Sequence, residues 1–450
     1  MMKPVHFLYL LSIVLLLSCR TDQQPSTDKA KPNIVLILAD DQAWSDYGFM
    51  GHEIAQTPNL DQLASESIVF ERGYVPSAIC RPSLMTLVTG LYPHQHNITG
   101  NDPAGGFKEA VYPREELLAN IDRLPALPRL LGEHGYLSHQ SGKWWEGPYS
   151  RGGFTHGMTQ GRRHGDEGLK IGREGMDPIF EFVDHAMAEE KPFYLWYAPF
   201  LPHTPHTPPQ RLLDKYTSKD LTLHQAKYYA MVEWFDETCG QLLDFLNDKG
   251  LRDNTLIYYI CDNGWIQRPN KNGFDYGSKQ SPMEGGVRTP IMFNWPGKLS
   301  PVKRSEFISS IDLYPTILQV AGIPQPEGLP GTDLWDALQT GYPIERVPIF
   351  GEGYGHDMME KDNPEASLAY RWVIEDQWKL ILCYDGIIEG YRIDSHEAMR
   401  KEPVRLYDVA KDPYETTNLA DVHPEIVDRL SSRLQEWYPV NERKIWGSTD

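Results

Sequence analysis

The chain has 450 residues, a formal net charge of -19 and a composition of 40% hydrophobic and 23% charged residues. That length supports a large core or two domains sharing one, while the acidic balance excludes nucleic acid and anionic surfaces as partners held by long-range attraction. Its five cysteines are spaced for neither a zinc site nor a disulfide framework.

Lys3 and His6 precede an apolar run over 7–17, interrupted only by Ser12, that ends at Leu17-Ser18-Cys19. The run is too short to span a bilayer as a mature helix and predicts a signal peptide over 1–18. A small residue followed by Cys at the cleavage point resembles the lipobox of bacterial lipoproteins. Cys19 then becomes the lipidated first residue, anchoring the protein in a membrane that faces the periplasm or cell surface. An ordinary secretory signal is the other reading, and both take the protein out of the cytoplasm. Residues 19–31 are polar and read as a tether.

The folded part begins near Pro32. Residues 32–39 form a β-branched run closed by Asp40-Asp41, which predicts a strand buried on both faces with carboxylates at its carboxyl end. The same design recurs where 254–261 runs into Asp262-Asn263-Gly264. Between them, 193–200 predicts another core strand, followed by a proline-rich loop over 201–209. Helical spacing over 228–249 stops at Gly250. Strand, helix and strand in alternation indicate an α/β sheet. Past residue 343 the segments 372–374, 378–383 and 404–407 predict shorter strands, and 424–437 a terminal amphipathic helix. The expected division is a catalytic domain over 32–343 and a C-terminal subdomain over 344–450 with antiparallel strands and that helix.

Ligands gather at the carboxyl ends of parallel strands in open α/β sheets, so Asp40, Asp41, Asp262 and Asn263 form a candidate metal site. Oxygen donors of this kind suit calcium and do not suit zinc, which favours His and Cys. Cys80 lies just before Pro82, a residue fitted to the first turn of a helix ending near Gly90. A group there meets free N–H donors and the positive end of the helix dipole, which favours an anionic substrate or nucleophile. On the residues alone, Cys80 reads equally as a small packing residue.

The ordered set Asp40-Asp41, Cys80-x-Pro82-Ser83 with Thr89-Gly90, Gly142-Lys143-Trp144, Pro202-His203-x-Pro205, Asp262-Asn263-Gly264, and Lys279 before Glu284-Gly-Gly-x-Arg288-x-Pro290 resembles the type I sulfatases. The resemblance runs over nearly the whole chain after residue 31, including Asp412-Pro-Tyr-Glu415. It implies an alkaline-phosphatase-like mixed central sheet flanked by helices, with a smaller C-terminal α+β subdomain. It further implies one calcium ion held by Asp40, Asp41, Asp262, Asn263 and the modified Cys80. A maturation enzyme would convert Cys80 to formylglycine, whose hydrate attacks the sulfur of a sulfate ester. Lys143 and Lys279 would hold sulfate oxygens and His203 would serve the leaving alcohol. The implied substrate is a sulfated carbohydrate, an oligosaccharide from an extracellular sulfated polysaccharide.

Two positions depart from that family. Leu84 stands where the maturation signal usually has Arg, and can supply neither charge nor a hydrogen bond. Trp145 stands where a His commonly follows the lysine, and cannot act as a base. The glycine-rich segment 152–175, with His156, Arg162, Arg163, His164, Lys170 and Arg173, is the nearest source of a replacement, or is an exposed lid with ordinary charges. Two further readings keep the fold: a metal-dependent phosphoesterase, favoured by Leu84, and a silent glycan-binding lipoprotein, disfavoured by the retained charged groups.

Overall fold

In the computed structural model, which describes residues 1, 31–105, 110–345, 348–385 and 401–447, the strand Asn33–Ala39 is buried along its whole length. Ile34, Leu36 and Leu38 enter one apolar cluster, and Val35, Ile37 and Ala39 enter a second on the other side. Phe193–Ala198 and Thr255–Cys261 alternate between the same two clusters. This is the period-2 pattern of strands covered on both faces, with the polar Asn33 and Thr255 at the strand starts paired to each other. Cys19 and the apolar run before it lie outside the described residues.

These strands belong to an eight-stranded mixed sheet. Its spatial order is His156–Gly157, Leu137–Gly142, Phe193–Ala198, Asn33–Ala39, Thr255–Cys261, Arg288–Asn294, Ile68–Tyr74 and Val302–Ser309. The first five run parallel. Arg288–Asn294 is antiparallel to both of its neighbours. Register then fixes what meets at the carboxyl edge. Ala39 pairs with Cys261, so Asp40-Asp41 and Asp262-Asn263 leave the sheet side by side. Gly142 pairs with Ala198, which brings Lys143 to the loop that carries His203.

The long helix covering one face runs Leu223–Asp248, five residues earlier at its start than the apolar spacing predicts. Its first turn, Leu223-His-Gln-Ala-Lys, is mostly polar and carries little of the apolar stripe. Thr222 caps it instead, accepting from the Gln225 backbone N–H. The predicted strand 193–200 stops at Ala198 because Pro199 cannot continue the ladder.

The C-terminal part holds a four-stranded antiparallel sheet in the order Ile349–Tyr354, Leu368–Glu375, Trp378–Cys383, Val404–Asp408. The helix Pro424–Trp437 lays Leu430 and Leu434 against Leu380 and Leu406 of that sheet. The architecture is thus a mixed central sheet flanked by helices with a smaller C-terminal α+β unit. Lys379, fully buried, joins the two sheets by pairing with Glu284 at 2.9 Å and Glu415 at 3.0 Å.

Candidate active site

Cys80 opens the helix Cys80–Thr89, every residue of which is buried. Gly90 ends it at φ +69, a left-handed C-cap. Two side-chain contacts place its first turn: Asn101 Oδ1 accepts from the Arg81 N–H at 3.0 Å, and Ser83 Oγ donates to the Asp262 carbonyl at 2.6 Å. The Cys80 thiol therefore faces the carboxyl edge of the sheet. Gly142 sits there at φ +88, and a Cβ on it would lie 1.8 Å from the Ala198 carbonyl oxygen. Only glycine allows that close approach, and it lets the Lys143 N–H donate to Ala198 O at 2.7 Å.

Most of the expected residues converge. Asp40, Asp41, Cys80 and His203 present ligand atoms within 4.8 Å of one another. Lys143 donates to Asp40 and lies 3.4 Å from Asp262 Oδ2. Lys279 donates to Asp41 Oδ1 at 2.5 Å and sits 3.1 Å from Cys80 Sγ. Asn263 Nδ2 donates to Asp41 Oδ1 at 2.7 Å, and the Asp41 N–H donates to Asp262 Oδ1 at 3.1 Å. His203 donates from Nδ1 to the Thr204 carbonyl at 2.5 Å, leaving Nε2 3.3 Å from Asp41 Oδ2. Asp41 adopts φ 65 to make these contacts, a conformation rare for residues other than glycine.

Burial dominates the electrostatics. It lowers both lysines by itself, but the surrounding carboxylates and Cys80 outweigh it and hold Lys143 and Lys279 above the ordinary lysine range. Burial pushes the Asp40 carboxyl up, with Lys143 pulling it back. The Cys80 thiol is pushed up to about 12 by burial, against the pull of both lysines. The His203 imidazole is held well below its usual value by burial and then by the two lysines.

The donor set fits a hard divalent cation. Asp40 Oδ2, Asp41 Oδ2 and Asn263 Oδ1 are buried with no hydrogen-bond partner, a costly state for oxygens that nothing coordinates. These are carboxylate and amide oxygens of the kind calcium takes, and the ion would supply the counter-charge that burial withholds from Asp40.

Both departures find a structural place. Leu84 is buried in the apolar cluster beneath the site. Arg81 does not take over from it, because its guanidinium is turned to Glu146 in a buried bidentate pair at 2.5 and 2.6 Å. Trp145 forms a wall, with the Lys143 ammonium 5.2 Å from its ring. Of the charged residues in 152–175, the site receives His164, whose ring meets Trp145 edge-on at 4.5 Å. Arg163 pairs with Asp102 at 2.7 Å, and Arg173 donates to the Phe200 carbonyl. His156 packs away from the site against Phe182 and His185. Lys170 pairs with Glu167 on the surface. No local pattern points to Glu146, Asn101 or Asp102, since their partners are 20 to 65 positions away.

Known proteins resemble the chain over most of its length. The family model named Sulfatase matches residues 32–323, and the model for the N-sulphoglucosamine sulphohydrolase C-terminal region matches 274–438. An N-acetylgalactosamine-6-sulfatase of Canis lupus familiaris is 28% identical, covering 89% of this chain and 84% of its own. An N-acetylgalactosamine-6-O-sulfatase of Bacteroides thetaiotaomicron is 24% identical over 94% of this chain and 96% of its own. A protein solved in complex with its substrate D-glucosamine-2-N,6-O-disulfate superposes with a TM-score of 0.67 at 19% identity, covering 92% of this chain and 99% of that one.

Proposed function

Because the chain belongs to the sulfatase family, and by that membership is a sulfuric ester hydrolase, we propose that it removes sulfate from a sulfated glycan through Cys80, Lys143, His203 and Lys279. The observation that carries this reading is the pair of buried lysines. A strongly acidic protein has placed two ammonium groups in one buried cluster, one of them 3.1 Å from Cys80 Sγ. Such a cluster suits an oxyanion whose charge is spread over several oxygens.

In this reading Cys80, converted to formylglycine by a maturation enzyme, supplies the attacking oxygen from the N-terminus of its helix. A calcium ion held by Asp40, Asp41, Asp262 and Asn263 with the modified Cys80 would act as a Lewis acid when bound. Lys143 and Lys279 hold the sulfate oxygens as negative charge moves onto them. His203, fixed through Nδ1, presents Nε2 to the oxygen of the departing alcohol. The sugar is supported by the glycan-acting relatives and by a cleft lined by Trp44, Tyr276 and Tyr414. That cleft opens on the segments leading from Asp41 and to Lys279, where flat aromatic faces suit a pyranose ring. The apolar leader and Cys19 support export and a lipid anchor as part of this reading.

Ion chromatography of sulfate released from N-acetylgalactosamine 6-sulfate, glucosamine 6-sulfate and sulfated oligosaccharides tests the proposal. Release that disappears in Cys80→Ala supports it. Phosphate release from phosphomonoesters without sulfate release from any sugar would overturn it.

A further inference from the structure

His164 is held in an unusual way at the rim of the cluster. Its backbone lies at φ 67, a conformation that side-chain-bearing residues adopt at a cost and that is retained where surrounding structure imposes it. Here the imposition is visible. The His164 carbonyl accepts from the Trp144 N–H at 3.0 Å. Gly165 follows at φ 121, so close to the turn after Leu137–Gly142 that a Cβ would lie 2.4 Å from Gly142 O. The loop is thereby pressed onto the strand end that carries Lys143.

The ring that results is aimed inward. It contacts Trp145 at 4.5 Å, Phe200 at 5.5 Å and His203 at 5.9 Å between centroids. The Lys143 ammonium lies against the same two aromatic rings, 5.2 Å from Trp145 and 5.7 Å from Phe200. Arg163 holds the imidazole from behind, with Nη1 2.6 Å from Nε2 and 3.3 Å from Nδ1, while its own Nε donates to the buried Asp102 at 2.7 Å. A neutral imidazole has one acceptor nitrogen and one N–H, so the shorter guanidinium contact, at Nε2, assigns the ring proton to Nδ1. Trp145 adds a second observation that points to a ligand: its indole N–H is buried with no acceptor.

Lys143 and Lys279 reach the same cluster beside the carboxylates of Asp40 and Asp41, and His203 enters it with Nε2 3.3 Å from Asp41, so His164 adds a further nitrogen donor at their rim. From this arrangement we infer that His164 is a catalytic residue that contacts the substrate, donating a hydrogen bond to an oxygen of the sulfuryl group, with Arg163 and Asp102 as the positioning pair behind it. The inference rests on the sulfatase reading for the identity of the ligand, and on the ring contacts for the residue.

The test uses the full chain as wild type, His164→Ala and His164→Gln, with inorganic sulfate as probe in calorimetry and sulfate release as the second readout. The expected result is sulfate binding weakened about tenfold or more in His164→Ala, kcat lowered on the order of a hundredfold, and unchanged thermal stability. His164→Gln, which keeps a donor, falls between. The inference is overturned if both variants bind sulfate as the wild type does, or if both lose binding equally together with thermal stability. Wild type that binds sulfate through His164 yet releases none from any ester upholds the contact and sinks the sulfatase reading. Active wild type with unaltered variants does the reverse.

Discussion

The pair formed by Arg81 and Glu146 allows a quantitative test of how the Cys80 helix is held. Arg81 is the residue after Cys80, and Glu146 the residue after Trp145, so one ion pair ties the nucleophile helix to the wall of the site. Both side chains are essentially without solvent, at 1% and 0% exposure, and they meet through two charge-assisted bonds. Glu146→Leu leaves the guanidinium buried with its nearest remaining acceptor the Asn101 carbonyl at 3.4 Å. Stranding one member of such a pair costs about 3–5 kcal/mol, whereas replacing both with apolar groups is often near neutral. For the folded body Lys31–Asp450, an unfolding entropy of ~2 cal/mol/K per residue gives ~0.9 kcal/mol/K and a Tm drop of about 3–6 °C. Arg81→Met with Glu146→Leu should recover most of that loss. Thermal unfolding of the two single variants and the double variant completes the cycle. A Glu146→Leu protein within about 1 °C of wild type, or a double variant as damaged as the sum of the singles, would refute the idea that this pair fixes the helix.

Three further predictions follow from the same structure. Saturating calcium should raise Tm and a chelator reverse it, with ~2.7 kcal/mol of stabilisation at a hundredfold excess over Kd; Asp40→Asn should abolish the response, and an undiminished response would remove Asp40 from the ligand set. Gly142→Ala forces a Cβ against the Ala198 carbonyl at a left-handed position, so a loss of about 3 kcal/mol or more should appear in urea unfolding, and a neutral result would contradict the close approach. Burial raises Glu415 from 4.5 to about 7, with Lys379 opposing and Glu284 adding to the rise. Its proton is thus bound more tightly in the folded chain, and the associated stability is present below pH 4.5 and lost as pH rises through 7. Glu415→Gln should match wild type near pH 5 and gain on it towards pH 8; parallel stability curves for the two proteins would count against that assignment.

Much of the site was legible because its residues sit where the apolar strands stop. The runs ending at Ala39 and Cys261 fix both the strands and their register, and register alone brings Asp40, Asp41, Asp262 and Asn263 together. Pro82 and Gly90 bracket the Cys80 helix for reasons of backbone chemistry that are local. What the sequence hid is not local. Glu146 reads as a surface charge until the fold places it against Arg81, and Asp102 gains its meaning from Arg163, 61 positions on. Among the charged residues of 152–175, composition could not choose. Only the backbone path through Gly165 turns His164 inward and leaves Lys170 outside. The start of the long helix was misplaced for a related reason: its capping Thr222 acts through a hydrogen bond that apolar periodicity does not register.

The central claim, that Cys80 is the source of the attacking group, is tested most directly by mass spectrometry of the peptide containing Cys80 from protein made in its native host. The account predicts a loss of about 18 Da relative to cysteine, showing that the residue matures to formylglycine despite Leu84. An unmodified thiol in catalytically active protein would contradict it.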